Sequence, residues 1–122
     1  MLINIHVRVG QQVLDDIKTE AAGENRSVSN MVSVLLAECK AASIARTPAP
    51  TKEKRSLCVT IPSETRDAYN EIFENGGTFV NVSDLYNRAL WSALQARVAM
   101  RAARERERLE KEVARRADKA AK

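Results

Sequence analysis

The sequence predicts a mostly α-helical fold with a two-stranded antiparallel β-ribbon, built from two copies of one small unit around a shared core. Three observations predict it. Aromatics make up only 4% of a chain that is 44% hydrophobic, so the core is aliphatic, which suits helices better than a β-sandwich. Two short stretches alternate apolar and polar residues with the period of a half-buried strand. Each stretch is then followed by the same order of elements: helix, turn, helix.

The first copy covers residues 1–40. Ile3, Ile5, Val7 and Val9 alternate with Asn4, His6 and Arg8 until Gly10 interrupts them. From Gln11 the spacing lengthens, and Val13, Leu14, Ile17 and Ala21 fall on one helix face. Gly23 to Arg26 is a turn, and Ser27 is placed to cap a second helix with the stripe Val28, Met31, Val32, Leu35, Leu36 and Cys39. Residues 41–54 form a linker, because Thr47-Pro-Ala-Pro-Thr51 cannot continue a helix. Fully extended, it reaches up to ~46 Å, enough for both strands to pair within one chain.

The second copy covers residues 55–100. Leu57, Val59 and Ile61 alternate with Ser56, Cys58 and Thr60, and Pro62 ends the strand. Thr65, Tyr69, Ile72 and Phe73 trace a helix face, followed by an Asn75-Gly76-Gly77 turn. Asn81 is the next N-cap, and Val82, Leu85, Tyr86, Ala89, Leu90, Ala93 and Leu94 form the last stripe. Arg8 matches Thr60 at an offset of 52, and Ser27 to Asn30 match Asn81 to Asp84 at an offset of 54. The two extra residues fit a longer turn around Gly76 and Gly77. Two copies are too few for a solenoid, so they are expected to pair around one core.

Residues 101–122 form a charged helical tail of Ala, Arg, Glu and Lys. Glu107–Lys111 and Glu112–Arg116 have the favourable i,i+4 order. Leu109 and Val113 are its only apolar residues besides alanines, and no heptad seam is visible. The expected role is a solvated extension fraying near Ala114; contact with flanking phosphates is the alternative.

The inventory points away from catalysis. His6 is the single histidine, and Cys39 and Cys58 form no CxxC pair or zinc framework. No glycine-rich phosphate loop is present. No catalytic residue, metal or cofactor is therefore assigned. No apolar run approaches the ~18 residues of a membrane span, and no signal peptide is evident, so a cytoplasmic, non-membrane protein is expected. The net charge of +4 resides in the tail: residues 1–54 carry +1, residues 55–100 carry −1, and residues 101–122 carry +4.

A lone amphipathic strand needs a partner, and each copy has only one. Pairing them would bury Ile5, Val7, Val9, Leu57, Val59 and Ile61 on the helices. Asn4, His6 and Arg8 would then face outward beside Ser56, Cys58 and Thr60. A two-stranded ribbon fits the major groove of B-DNA, where outward side chains reach base edges.

The run Arg8-Val-Gly-Gln-Gln-Val-Leu-Asp15, with Glu24-Asn-Arg-Ser-Val-Ser-Asn30 after it, resembles the ribbon-helix-helix family of the Arc and methionine repressors. The resemblance implies that two such motifs form a pseudo-dimer in one chain. It implies base readout by Asn4, His6 and Arg8, with Ser56, Cys58 and Thr60 at the matching places in the second copy. It also implies phosphate contacts at the start of each second helix, at Val28 and Ser29 and at Val82 and Ser83. Lys54 and Arg55, ahead of the second strand, are further candidates for phosphate. The second copy departs from the family pattern, because its outward residues are short and uncharged.

Tandem copies are similar to those of viral regulators and plasmid-transfer accessory proteins. The implied function is sequence-specific binding of double-stranded DNA, in plasmid DNA transfer or transcriptional regulation. Partners would be double-stranded DNA and other DNA-processing or transfer proteins, with higher-order assembly on DNA left open. The alternative is an antitoxin-like protein-interaction module, for which the neutral second strand and the charged tail are the relevant features.

Overall fold

A computed structural model describes residues 1–76 and 79–121. In chain order the elements are β1 (Leu2–Val9), α1 (Gln11–Gly23), α2 (Val28–Glu38), α3 (Ala41–Ile44), β2 (Arg55–Pro62), α4 (Ser63–Gly76) and α5 (Val82–Ala121). The fold is mostly helical, with one two-stranded antiparallel sheet formed by β1 and β2. Leu2 lies opposite Pro62 and Val9 opposite Arg55.

Alternation along the strands becomes two faces. Val7, Val9, Leu57, Val59 and Ile61 are buried and Ile5 is half-buried, whereas Asn4, His6, Arg8, Ser56 and Cys58 are exposed. The helices cover the inner face alone. Their core includes Ile17 of α1, Met31, Val32 and Leu35 of α2, and Leu85, Ala89 and Leu90 of α5, all closed to solvent. Each large aliphatic buried in this way stabilises the fold by roughly 1.5–3 kcal/mol. Tyr69 of α4 stacks on Tyr86 of α5 with ring centroids 5.2 Å apart. Its hydroxyl donates to the Leu36 carbonyl at 2.8 Å, tying α4 to α2.

The helix starts follow the expected chemistry. Ser27 Oγ accepts the Asn30 N–H at 3.1 Å, and Asn81 Oδ1 accepts the Asp84 N–H at 2.8 Å. Asp84 reaches back to the Val80 N–H at 3.1 Å, a variant of the capping box. The turn between α1 and α2 places Asn25 at φ 56°, a left-handed conformation that asparagine tolerates better than most residues. In the second copy α4 runs through Gly76. Gly77, the other glycine of the expected turn, lies outside the described residues.

The linker is more than a spacer. It contains the one-turn helix α3, whose Ile44 is fully buried. Past α3, the chain passes so close to the start of α1 that a Cβ on Gly10 would lie 2.2 Å from the Pro50 carbonyl oxygen. Only glycine fits that approach. Asn87, buried in α5, joins the two segments: its Oδ1 accepts the Gly10 N–H at 3.1 Å, and its Nδ2 donates to the Pro50 carbonyl at 3.0 Å. The Gln11 N–H donates to the Lys52 carbonyl at 3.2 Å.

Helix α5 has 40 residues and so extends about 60 Å. It does not stop near Ala114 but continues to Ala121. Ion pairs support it there, Glu107–Lys111 at 3.3 Å and Glu112–Arg116 at 3.1 Å, on a backbone rich in alanine. Where α5 leaves the body it is braced: Arg97 pairs with Glu20 and Glu24 near the end of α1 and with Glu38 at the end of α2, and Arg101 pairs with Glu20.

Candidate nucleic-acid interface

The outward pairs of the ribbon are Asn4 with Thr60, His6 with Cys58, and Arg8 with Ser56. All six residues that the resemblance implied as base readers therefore lie on one face. The Arg8 and Thr60 N–H groups point away from the partner strand, towards helices, which marks the outward pairs as the non-hydrogen-bonded type. In that type Cα atoms are about 4.5 Å apart and side chains are closest. From Asn4 to Arg8 the strip runs roughly 14 Å at ~3.4 Å per residue. None of the ion pairs among the described residues involves Arg8.

Each end of the strip meets the start of a helix from the other copy. The Arg8 N–H donates to Ser83 Oγ at 3.0 Å, and the Thr60 N–H donates to Ser29 Oγ at 3.4 Å. These contacts are reciprocal under the sequence repeat, since Thr60 matches Arg8 and Ser83 matches Ser29. They satisfy edge N–H groups of a ribbon that has no further strand. They also seat the N-termini of α2 and α5 at opposite ends of the outward face.

The amides at these N-termini suit an anion. At each one the cap side chain takes the N–H of Asn30 or Asp84, and the earlier N–H groups, those of Val28 and Ser29 and of Val82 and Ser83, lie at the positive end of the helix dipole. The two ends differ in charge. Asn30 accepts from Arg26 Nη1 at 2.7 Å, Arg26 also pairs with Glu24 at 3.7 Å, and the first turn of α2 holds no acidic residue. At the matching place in α5, the first turn holds Asp84, paired with Arg88 at 3.2 Å. The start of α2 is therefore the better anion site.

Lys54 and Arg55 stand apart from this arrangement. Arg55 belongs to β2, opposite Val9, and its Nε donates to Gln11 Oε1 at 2.5 Å. Lys54 is exposed just ahead of the strand.

The tail points elsewhere. α5 starts at the ribbon and is braced by the far ends of α1 and α2 at Arg97 and Arg101. Ser83 and Arg101 are separated by about 27 Å along the helix axis. Residues beyond Arg101 lie farther still from the ribbon, and they are almost all exposed. A depression of about 520 Å³ at the brace is lined by Glu20, Glu24, Glu38, Arg97, Arg101 and Arg104, charges largely engaged with one another.

Cys39 is half-buried against the core, and burial pushes its thiol above the ordinary value, away from a reactive thiolate. Cys58 is exposed at the middle of the outward face. Among the described residues no group of three or more His, Cys, Asp or Glu is placed to hold a metal ion. No described helix is long and apolar enough to cross a membrane.

Sequence reasoning did not identify Ser29 and Ser83 as receivers of strand N–H groups; the two repeat offsets were the available signal. It missed Asn87 and Arg97 outright. Comparison with protein-family models, curated proteins and solved structures found no match for the chain.

Proposed function

We propose that this chain binds double-stranded DNA by laying the β1–β2 ribbon into the major groove as a tandem ribbon-helix-helix pseudo-dimer. The observation that carries this reading is the reciprocal seating of two helix N-termini at the ends of the outward strip. A ribbon in a groove about 12 Å wide presents its outward side chains to base edges. Helix N-termini at its two ends then meet the phosphates that border the groove. Arg8, Asn4 and His6 provide most of the hydrogen-bonding capacity, and the α2 end provides the stronger phosphate anchor. The plasmid-transfer and transcriptional roles use this same interface and differ only in where the target site lies.

The experiment is filter binding with a duplex selected from a random pool. Arg8→Ala should weaken specific binding by roughly 1–3 kcal/mol and relax preference at one base pair. Ser56→Ala, on the facing residue, should change affinity little. Equal losses would contradict the assignment of readout to the first strand. Absence of any selected sequence would contradict the function.

The tail gives a second measurement. A chain ending at Ala103 keeps Arg101 and removes the exposed charges beyond it. Each phosphate contact contributes roughly −0.9 to the log–log salt slope, so the slope should be unchanged if the tail stays clear of DNA. A flatter slope would place the tail on phosphate. The projecting helix is instead the part of the molecule open to a protein partner, the one observation favouring an interaction role beside DNA binding.

A further inference from the structure

We propose that Thr60 is a positioning residue for base selection, whose hydroxyl engages one arm of the Asn4 amide and so sets where the other arm points. The proposal rests on the major-groove reading above. Asn4 and Thr60 face each other across the ribbon, and Thr60 Oγ1 donates to Asn4 Oδ1 at 2.7 Å. Thr60 is itself well placed to act as a fixed point. Its N–H is directed to Ser29 Oγ at the start of α2, and its β-branched side chain has few χ1 choices.

An asparagine amide carries an acceptor on one arm and two donors on the other. With Oδ1 engaged by the Thr60 hydroxyl, the NH₂ arm is the one Asn4 offers to a base edge. Its major-groove complements are acceptors: N7 and O6 of guanine, N7 of adenine and O4 of thymine. Without the hydroxyl neither arm is anchored, and the amide would turn freely to offer its oxygen as well, which suits the amino groups of adenine and cytosine. The threonine therefore narrows what Asn4 accepts, although it is too short to read a base as arginine does. Among the described residues, 4–60 is the one outward pair joined by a side-chain hydrogen bond.

The test compares base preference at every position of the selected site for the wild type, Asn4→Ala, Thr60→Val, Thr60→Ser and the Asn4→Ala/Thr60→Val double variant. Valine keeps the shape and β-branching of threonine but has no donor, and serine restores the hydroxyl. Thr60→Val should cut discrimination about tenfold, at the same base pair that Asn4→Ala affects. Thr60→Ser should keep the preference, and the double variant should match Asn4→Ala alone. Thermal unfolding of each variant checks that the fold is intact. A Thr60→Val profile like the wild type, or one altered at a different base pair, would overturn the positioning role and leave the ribbon reading standing. A wild type that selects no sequence would overturn both.

Discussion

Replacing Asn87 with leucine is expected to lower stability by about 2–4 kcal/mol, because one buried and one part-buried backbone group lose their partners at once, each at about 1–3 kcal/mol. Asn87 is 3% exposed. Its amide accepts the Gly10 N–H and donates to the Pro50 carbonyl, so it closes the gap between the β1–α1 junction and the linker. Leucine has the same branched skeleton with bulkier methyl ends and neither hydrogen-bonding arm. Gly10 has no room to turn its N–H elsewhere, because the linker backbone packs against its Cα.

Urea unfolding should show a lower midpoint with an unchanged slope, the sign of a less stable native state rather than a different denatured one. The repeat supplies the control. Position 33 matches position 87, and the residue matching Gly10 is Pro62, which has no N–H to satisfy. Ser33→Ala should therefore shift stability by no more than about 0.5 kcal/mol. Equal effects at the two positions would mean that the Asn87 bonds contribute little.

That asymmetry shows which parts of the molecule were legible in the sequence. The outward set of Asn4, His6, Arg8, Ser56, Cys58 and Thr60 was readable because side chains alternate along a strand, and one buried face then fixes the parity. Parity is not register. A slip of two residues keeps every side chain on its own face, so the pairing of Asn4 with Thr60 was not contained in the alternation. It depends on the helix starts: Ser29 and Ser83 receive particular strand N–H groups, and a slipped ribbon would miss them.

The caps at Ser27 and Asn81 were legible because they act within three residues of their own helices. Asn87, Ile44 and Arg97 were not. Ile44 is a single apolar residue without periodic neighbours, and the partners of Asn87 and Arg97 lie at least 37 residues away in the chain. The helical tail over 101–122 was legible, but the continuity of α5 past Ala114 was not, for a related reason. Helix propensity and i,i+4 pairs support it to Ala121 without the apolar stripe used to trace helices elsewhere.

Arg97→Met should cost about 2–3 kcal/mol at neutral pH, below the 3–5 kcal/mol of a fully buried broken pair because part of the site is wet. Arg97 is 16% exposed and Glu20 11%, whereas Glu38 is 46% exposed and contributes less. The guanidinium makes two 2.9 Å bonds to Glu38 and one of 3.0 Å to Glu20, and it also pairs with Glu24. Methionine keeps the apolar stem and leaves three carboxylates near one another, with Arg101 beside Glu20 and Arg26 beside Glu24.

The pH dependence identifies the cause. Burial by itself would raise the Glu20 pKa, but the hydrogen bonds and charges of Arg101 and Arg97 overcome it and hold the carboxyl below its ordinary value of 4.5. A folded pKa below the unfolded one stabilises the native state above the unfolded value, and that stability is lost as pH falls through the folded value. The wild-type urea midpoint should therefore fall as pH is lowered below about 4.5. In Arg97→Met the loss across the same range should be smaller, since one of the two cations that hold the Glu20 carboxyl down has gone while Arg101 remains. A parallel decline in both proteins would show that Arg97 does not set the Glu20 titration. The brace lies about 21 Å along α5 from Ser83, so DNA affinity at neutral pH should be unchanged while the fold remains intact. A loss of affinity in the folded variant would mean that the brace also sets how the start of α5 meets the ribbon.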